Sequence, residues 1–261
     1  MGRCMLGGLL IFVAMSLGTE AGGFAPSTPS DAGAAAGGLD AAAIAAGHGP
    51  AQILSRRHGT AVSLNWAGYA ASGTTFADVK GTWTLPAVTC SKNQLQIASF
   101  WVGIDGFTSS TVEQIGTDAD CVHGQAFYFA WWEMFPAGLN VIPLSVNPGD
   151  TVSAEVSASG TAFTLTITVG TQQFSTTQMS AVAAKSSAEW IAEGPSQALA
   201  DFTAVSFFDA SASGGTHTGS ITDPAWANDG IVMVTRSRKI RAQPCCLLND
   251  GTGFMVDWLH R

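Results

Sequence analysis

The chain has 261 residues, a net charge of -8 and only 11% charged residues against 46% hydrophobic ones. This charge-poor, acidic balance excludes a basic nucleic-acid footprint over most of the chain, and it has the texture of a β-rich secreted protein rather than a cytosolic helical one. With 11 Lys+Arg in all, little positive self-repulsion builds up when acid neutralises the carboxylates, so the composition fits tolerance of low pH as well as it fits a merely Ser/Thr-rich surface.

Arg3 precedes an apolar run from Met5 to Met15, and small residues follow through Ala21. The pattern predicts a secretory signal peptide over 1–21, too short for a membrane span. Residues 22–57 are rich in Ala, Gly, Pro and Ser, without core-building periodicity, and read as a propeptide or a flexible linker. Ala41 to Ala46 could form one helical turn, and Arg56-Arg57 offers a basic processing point. The folded domain is expected over 58–261.

From Ala61 onward, short strand signals recur at close spacing. They cover Ser63–Tyr69, Val79–Leu85, Phe100–Gly106, Thr111–Asp118, Tyr128–Pro136, Val141–Val146, Thr151–Ala158 and Thr161–Val169, with a Ser159-Gly160 turn between the last two. Gln172–Thr177, Glu189–Glu193, Ala204–Phe208, Gly230–Thr235 and Gly253–Trp258 complete the set, and Ser180–Lys185 is the one place for a short helix. Many short strands with frequent turns predict an all-β sandwich. Arg236, Arg238, Lys239 and Arg241 read as a solvated basic loop.

Period-2 alternation divides Tyr128–Phe135 into two faces. Phe129, Trp131, Glu133 and Phe135 share one; Tyr128, Ala130, Trp132 and Met134 share the other. Both faces carry large aromatics, so one packs on a core and the other lines a groove. Gln114 shares a face with Val112, Gly116 and Asp118, while Glu189, Ile191 and Glu193 share another. Of five cysteines, Cys4 lies in the leader, Cys90 and Cys121 flank the central strands and form the plausible bridge, and adjacent Cys245 and Cys246 stay unassigned. The histidines are scattered, with His123 and His217 read as loop residues. No Cys/His spacing suggests zinc, and neither metal nor cofactor is expected.

Asn65-Trp66-Ala67-Gly68-Tyr69, Trp101-Val102-Gly103-Ile104-Asp105-Gly106, Gln114-Ile115-Gly116, Ala130-Trp131-Trp132-Glu133 and Ala188-Glu189-Trp190-Ile191-Ala192-Glu193 occur in that order, and Asp250 to Trp258 closes the series. From about Thr60 to Trp258 the chain resembles the glutamic peptidase family (the eqolisins), acid endopeptidases with a catalytic Gln/Glu pair. The resemblance implies an antiparallel two-sheet β-sandwich, a concanavalin A-like jelly roll, with a concave substrate groove. It carries the catalytic pair onto Gln114 and Glu193, and substrate contacts onto Trp131 and Glu133. Asn65, Trp66, Trp101 and Asp105 match positions near the groove. Phe135 departs from the family, whose members often carry Tyr there, so a hydroxyl contact is lost.

The chemistry suits acid. A histidine base would be protonated there, whereas a Glu near its usual range stays partly ionised and can take a proton from water. A Gln is neutral at every relevant pH and can both orient water and stabilise an oxyanion. The implied partners are protein or peptide substrates, with no nucleic acid, no membrane for the mature form, and monomer as the default state of a secreted hydrolase. Two rivals stay open at this stage. A retaining glycosidase could use Glu133 and Glu193 across a Trp-lined groove, but leaves Gln114 idle. A carbohydrate-binding module would use the Trp residues as stacking platforms and hydrolyse nothing.

Overall fold

The structure, a computed structural model, describes residues 48–92, 94–194 and 198–261. The leader expected over 1–21, most of the 22–57 segment and Pro195 lie outside the described residues. Among those described there is no helix. The strands are β1 (Ile53–Arg57), β2 (Thr60–Ser63), β3 (Trp66–Ser72), β4 (Phe76–Thr84), β5 (Gln96–Ile97), β6 (Ser99–Ile104), β7 (Val112–Val122), β8 (Gln125–Phe135), β9 (Asn140–Ile142), β10 (Thr151–Ser159), β11 (Ala162–Val169), β12 (Gln172–Met179), β13 (Ser187–Glu193), β14 (Ala198–Leu199), β15 (Ala204–Gly214), β16 (His217–Gly219), β17 (Ala227–Val234), β18 (Ile240–Cys245) and β19 (Phe254–Trp258).

Hydrogen bonding orders one layer as β9-β8-β7-β6-β13-β3-β17 and the other as β12-β11-β10-β4-β15-β19. β18 pairs with both β17 and β19 and so joins the layers at one edge. All of these pairings are antiparallel; β5–β14 and β2–β17 are short parallel exceptions. β4, β10 and β11 pack across on β6, β7 and β13. The main core lies between the layers and includes Trp83, Phe100, Ile115, Phe163, Trp190 and Phe207.

The central strands of the first layer, β6, β7 and β13, are buried on both faces. In β13 every residue is buried. Ala188, Trp190 and Ala192 enter the main core, while Ile191 joins a second cluster outside it with Trp66, Trp101, Val112 and Trp131. β8 divides as its alternation predicts: Tyr128, Ala130, Trp132 and Met134 pack on the main core, and Phe129, Trp131 and Phe135 on the second cluster. The second cluster is the groove face.

Four local expectations are corrected. The predicted Ser63–Tyr69 strand is two strands, because the Ser63 hydroxyl accepts from the backbone N–H of Asn65 and of Trp66 at 3.3 and 3.2 Å, in place of a continuous ladder. The expected helix at Ser180–Lys185 is bent chain, since Asp105 captures the backbone N–H of Lys185 at 2.6 Å and of Ser186 at 2.8 Å. Arg241 is buried in β18 rather than solvated, within 3.5 Å of the Leu64 and Gly194 carbonyls. His217 lies in the short strand β16 and meets Asp223 at 2.9 Å. The domain start expected at 58 falls in a hairpin turn: His58 and Gly59 have φ of 49° and 75°, the left-handed pair that joins β1 to β2. Arg56, half of the expected processing point, is therefore in a paired strand, and its guanidinium meets the buried Asp229 at 2.6 Å.

Candidate active site

The groove-face residues come from adjacent strands in register. Gln114 stands opposite Gly103 on one side and Glu133 on the other. Glu193 stands opposite Ser99 and Trp66. Trp101 links the two regions. Its indole Nε1 donates to Glu193 Oε2 at 3.0 Å, and its ring passes over Gly103, where an added Cβ would come within 2.9 Å of the ring and 3.2 Å of Gln114 Cβ. Only glycine leaves room for that approach.

Gln114 Nε2 donates to Glu133 Oε2 at 2.7 Å, while Gln114 Oε1 has no hydrogen-bond partner among the described residues. Asn65 Nδ2 donates to Glu193 Oε1 at 3.1 Å, so both carboxyl oxygens of Glu193 are held by side-chain N–H groups. Trp66 meets Trp101 edge to face at 4.9 Å. Trp131 Nε1 donates to Asp118 Oδ1 at 2.6 Å. Of the expected site residues, Asn65, Trp66, Trp101, Gln114, Trp131, Glu133 and Glu193 thus form one connected cluster. Phe135 packs at its margin, on the second hydrophobic cluster. Asp105 stands apart: it follows β6 with φ of 74° and binds Ser109, Lys185 and Ser186, organising loops.

Burial raises the Glu193 carboxyl to about 8, against the opposing pull of His48, Asn65 and Trp101, with Glu133 adding to the rise. Burial likewise raises Glu133, opposed by His48 and Gln114. Glu189 is fully buried beyond the cluster and held far above the usual carboxylate range, chiefly by burial, then by Asp105 and Glu113.

Sequence reasoning gave no role to His48, Ser99, Asp118 or Asp120. His48 stacks on Trp131 at 4.2 Å, with Nε2 2.6 Å from Ser99 Oγ and 3.4 Å from Asp118 Oδ2. Burial alone would lower its basicity, but Asp118, then Glu193 and Glu133, outweigh that and hold it at about 9. Parity already put Asp118 on Gln114's face; His48 sits in an Ala/Gly-rich run with no local signal. The expected Cys90–Cys121 disulfide is present, with Cα atoms 5.3 Å apart, and Cys245 and Cys246 are free.

The Peptidase A4 family pattern matches residues 64–243. Aspergillopepsin-2 of Aspergillus niger is 33% identical over 210 residues, covering 67% of this chain and 74% of that protein. Scytalido-glutamic peptidase, solved with a peptide-based transition state analog, superposes with a TM-score of 0.64 at 23% identity over 75% of this chain and 98% of that one. Aspergilloglutamic peptidase from Aspergillus niger gives 0.55 at 26% identity over 63% of this chain and 99% of that one. The family match spans every residue of the Gln114–Trp101–Glu193 cluster, and the chain belongs to the Peptidase A4 family, as an endopeptidase of the glutamic type.

Proposed function

We propose that this chain is a secreted acid endopeptidase in which Glu193 and Gln114 activate one water molecule. The observation that carries the reading is the polarity of the pair. Glu193 is a carboxyl held at both oxygens by neutral N–H donors, and Gln114 is an amide anchored through its nitrogen with its carbonyl oxygen unpartnered among the described residues. A water accepted between them donates one hydrogen to Gln114 Oε1 and gives the other to Glu193 as it attacks the scissile carbonyl. The carbonyl oxygen gains charge and takes a hydrogen bond from the Gln114 amide, with Glu133 released as its resting partner. Glu193 then returns its proton to the leaving amine. Trp66, Trp101 and Trp131 give the groove its apolar walls. Secretion accords with the Cys90–Cys121 bridge, which needs an oxidising compartment, and with the leader expected over 1–21. Residues 22–57 would then be the segment removed on maturation.

The test is digestion of denatured haemoglobin at about pH 4, where a glutamate freed of the burial that raises Glu193 is partly ionised. Glu193→Gln and Gln114→Ala should each lower kcat by about 10²–10³-fold or more with unchanged circular dichroism. Full activity in either variant would remove the assignment.

A further inference from the structure

A cavity of about 350 Å³ opens beside the site, where β17, β18 and the corner between β2 and β3 meet. Arg236, Arg241 and Arg261 line it together with the polar Gln52, Asn65 and Thr235, and among the described residues no Asp or Glu does. The whole chain carries 19 Asp+Glu against 11 Lys+Arg, so a cavity of this sign runs against its composition. Backbone geometry places each cation. The turn after β17 is closed by the Arg238 N–H on the Thr235 carbonyl at 2.8 Å and the Lys239 N–H on the Thr235 hydroxyl at 3.0 Å, which sets Arg236. Arg241 is held in β18, and its carbonyl accepts the N–H groups of Leu259 and His260 at 2.7 and 3.0 Å, which brings Arg261 alongside. Among the described residues neither Arg236 nor Arg261 is ion-paired. Desolvation, then the charges of Lys239, Arg241 and Arg261, hold His260 below its ordinary value, so these cations act together on one ring.

We propose that this cavity is an anion subsite of the groove, which takes a carboxylate of the peptide being cut. The identity of that ligand rests on the peptidase reading; the anion site itself does not. Position supports it. Asn65 lines the cavity and also donates to Glu193 Oε1 at 3.1 Å, and Arg241 Nη1 lies 3.5 Å from the carbonyl of Gly194, the residue after Glu193. An occupant therefore lies within a few residues of extended peptide from the candidate catalytic carboxyl. Charge supports it too. Asp118, Glu133 and Glu193 are buried on the groove face, so a substrate carboxylate is disfavoured there and favoured beside the arginines. Arginine also suits acid. A guanidinium keeps its charge at every relevant pH, and its fork matches the two oxygens of a carboxylate. An adjacent cation lowers a carboxyl's pKa, so the ligand stays an anion where a free carboxyl is partly protonated. Burial works against the Arg241 cation, and an anion in the cavity offsets that penalty.

Binding and cleavage test it separately. The full chain is compared with Arg236→Gln/Arg261→Gln, two substitutions at exposed positions that leave the buried Arg241 in place. Three pentapeptides are titrated by calorimetry at about pH 5, where a free Asp is mostly ionised. They are acetyl-Ala-Ala-Asp-Ala-Ala amide, its Asn analogue, and that Asn analogue with a free terminal carboxylate. The parent chain should bind at least one of the two acids about tenfold more tightly than the neutral amide, and the variant should lose that preference. Which acid binds more tightly separates a side-chain carboxylate from a chain end. In the cleavage arm, denatured haemoglobin is digested in acid and the cut sites are read by mass spectrometry. A carboxylate should recur at one fixed distance from the cut in parent digests, with that enrichment lost in the variant. Equal binding of all three peptides by the parent, or a preference that survives in the variant, would overturn the proposal. So would a single cut-site pattern shared by both chains. A carboxylate preference without hydrolysis by either chain would uphold the anion site and remove the peptidase reading instead.

Discussion

Glu193 shows how much of the site's chemistry sits in single contacts. Its carboxyl is pushed up by burial and pulled back by His48, Asn65 and Trp101, in that order of importance. The Trp101 indole N–H is one of the two side-chain donors that favour the carboxylate directly, at 3.0 Å. Trp101→Phe keeps the ring against Trp66 and over Gly103 but deletes that donor. The acidic limb of the kcat/KM–pH profile should therefore move up by roughly one pH unit, since a hydrogen bond to a charged group contributes about 1.5–3 kcal/mol. A profile that keeps its acidic limb in Trp101→Phe would show that the indole does not tune Glu193. The same scale explains the effect of Phe135: without a hydroxyl, it offers the groove area but no hydrogen bond.

At the scale of elements, the groove exists because β7 and β8 run side by side for 11 residues each, and their alternate residues divide between the main core and the second cluster. The Cys90–Cys121 bridge ties the far end of β7 to the chain before β5, across a sequence separation of 31. Cys121 is buried in the main core. Closing a loop of that length removes unfolded-state entropy equivalent to about 3–4 kcal/mol. The double variant Cys90→Ser/Cys121→Ser should consequently melt roughly 10 °C lower by calorimetry, with the fold retained below that temperature. A midpoint within a degree or two of the parent would mean that the strands hold their places without the clamp. The β1–β2 hairpin has a different fastener. Arg56 reaches Asp229 and Ser72 and lies 4.9 Å from the Phe107 ring centre, which pins the segment leading out of the groove onto β3 and β17.

Across the whole molecule, the buried carboxyls set the pH at which the fold is most stable. Burial is the first cause in each case: it raises Glu113 to about 7 and Glu193 to about 8, and it raises Glu133, Glu189 and Asp120 as well. A carboxyl raised in the folded state binds a proton there that the unfolded chain has already released. Stability therefore falls as pH climbs from the unfolded value toward the folded one. His48 acts in the same direction: its cation is favoured in the fold, so its contribution is full below the ordinary 6.5 and is lost as pH rises through about 9. The unfolding midpoint should accordingly rise as pH is lowered from about 8 to about 5, and part of that slope should vanish in His48→Phe. A midpoint that is flat or falls on acidification over this window would contradict the buried, protonated state of these groups. The low charge content offered two readings, acid tolerance or a Ser/Thr-rich surface; the buried carboxyls give the first a specific cause.

Taken alone, the sequence determined the central strands and the faces of their residues, but not β1 or β18. Alternation needs no partner to be read, so the division of β8 into a core side and a groove side, and the placing of Gln114, Asp118, Glu189 and Glu193, follow from residue parity. Tertiary structure decided what covers those faces. The run containing His48 has no periodicity, because it is shaped by Asn65, Trp66 and Trp131 rather than by its own residues, and contacts across 15 to 83 positions leave no local trace in the chain. The same holds for Arg241, which reads as solvated until the carbonyls of Leu64 and Gly194 are brought to it. A polar side chain's neighbours along the chain say which way it points; only the folded strands say what it meets there.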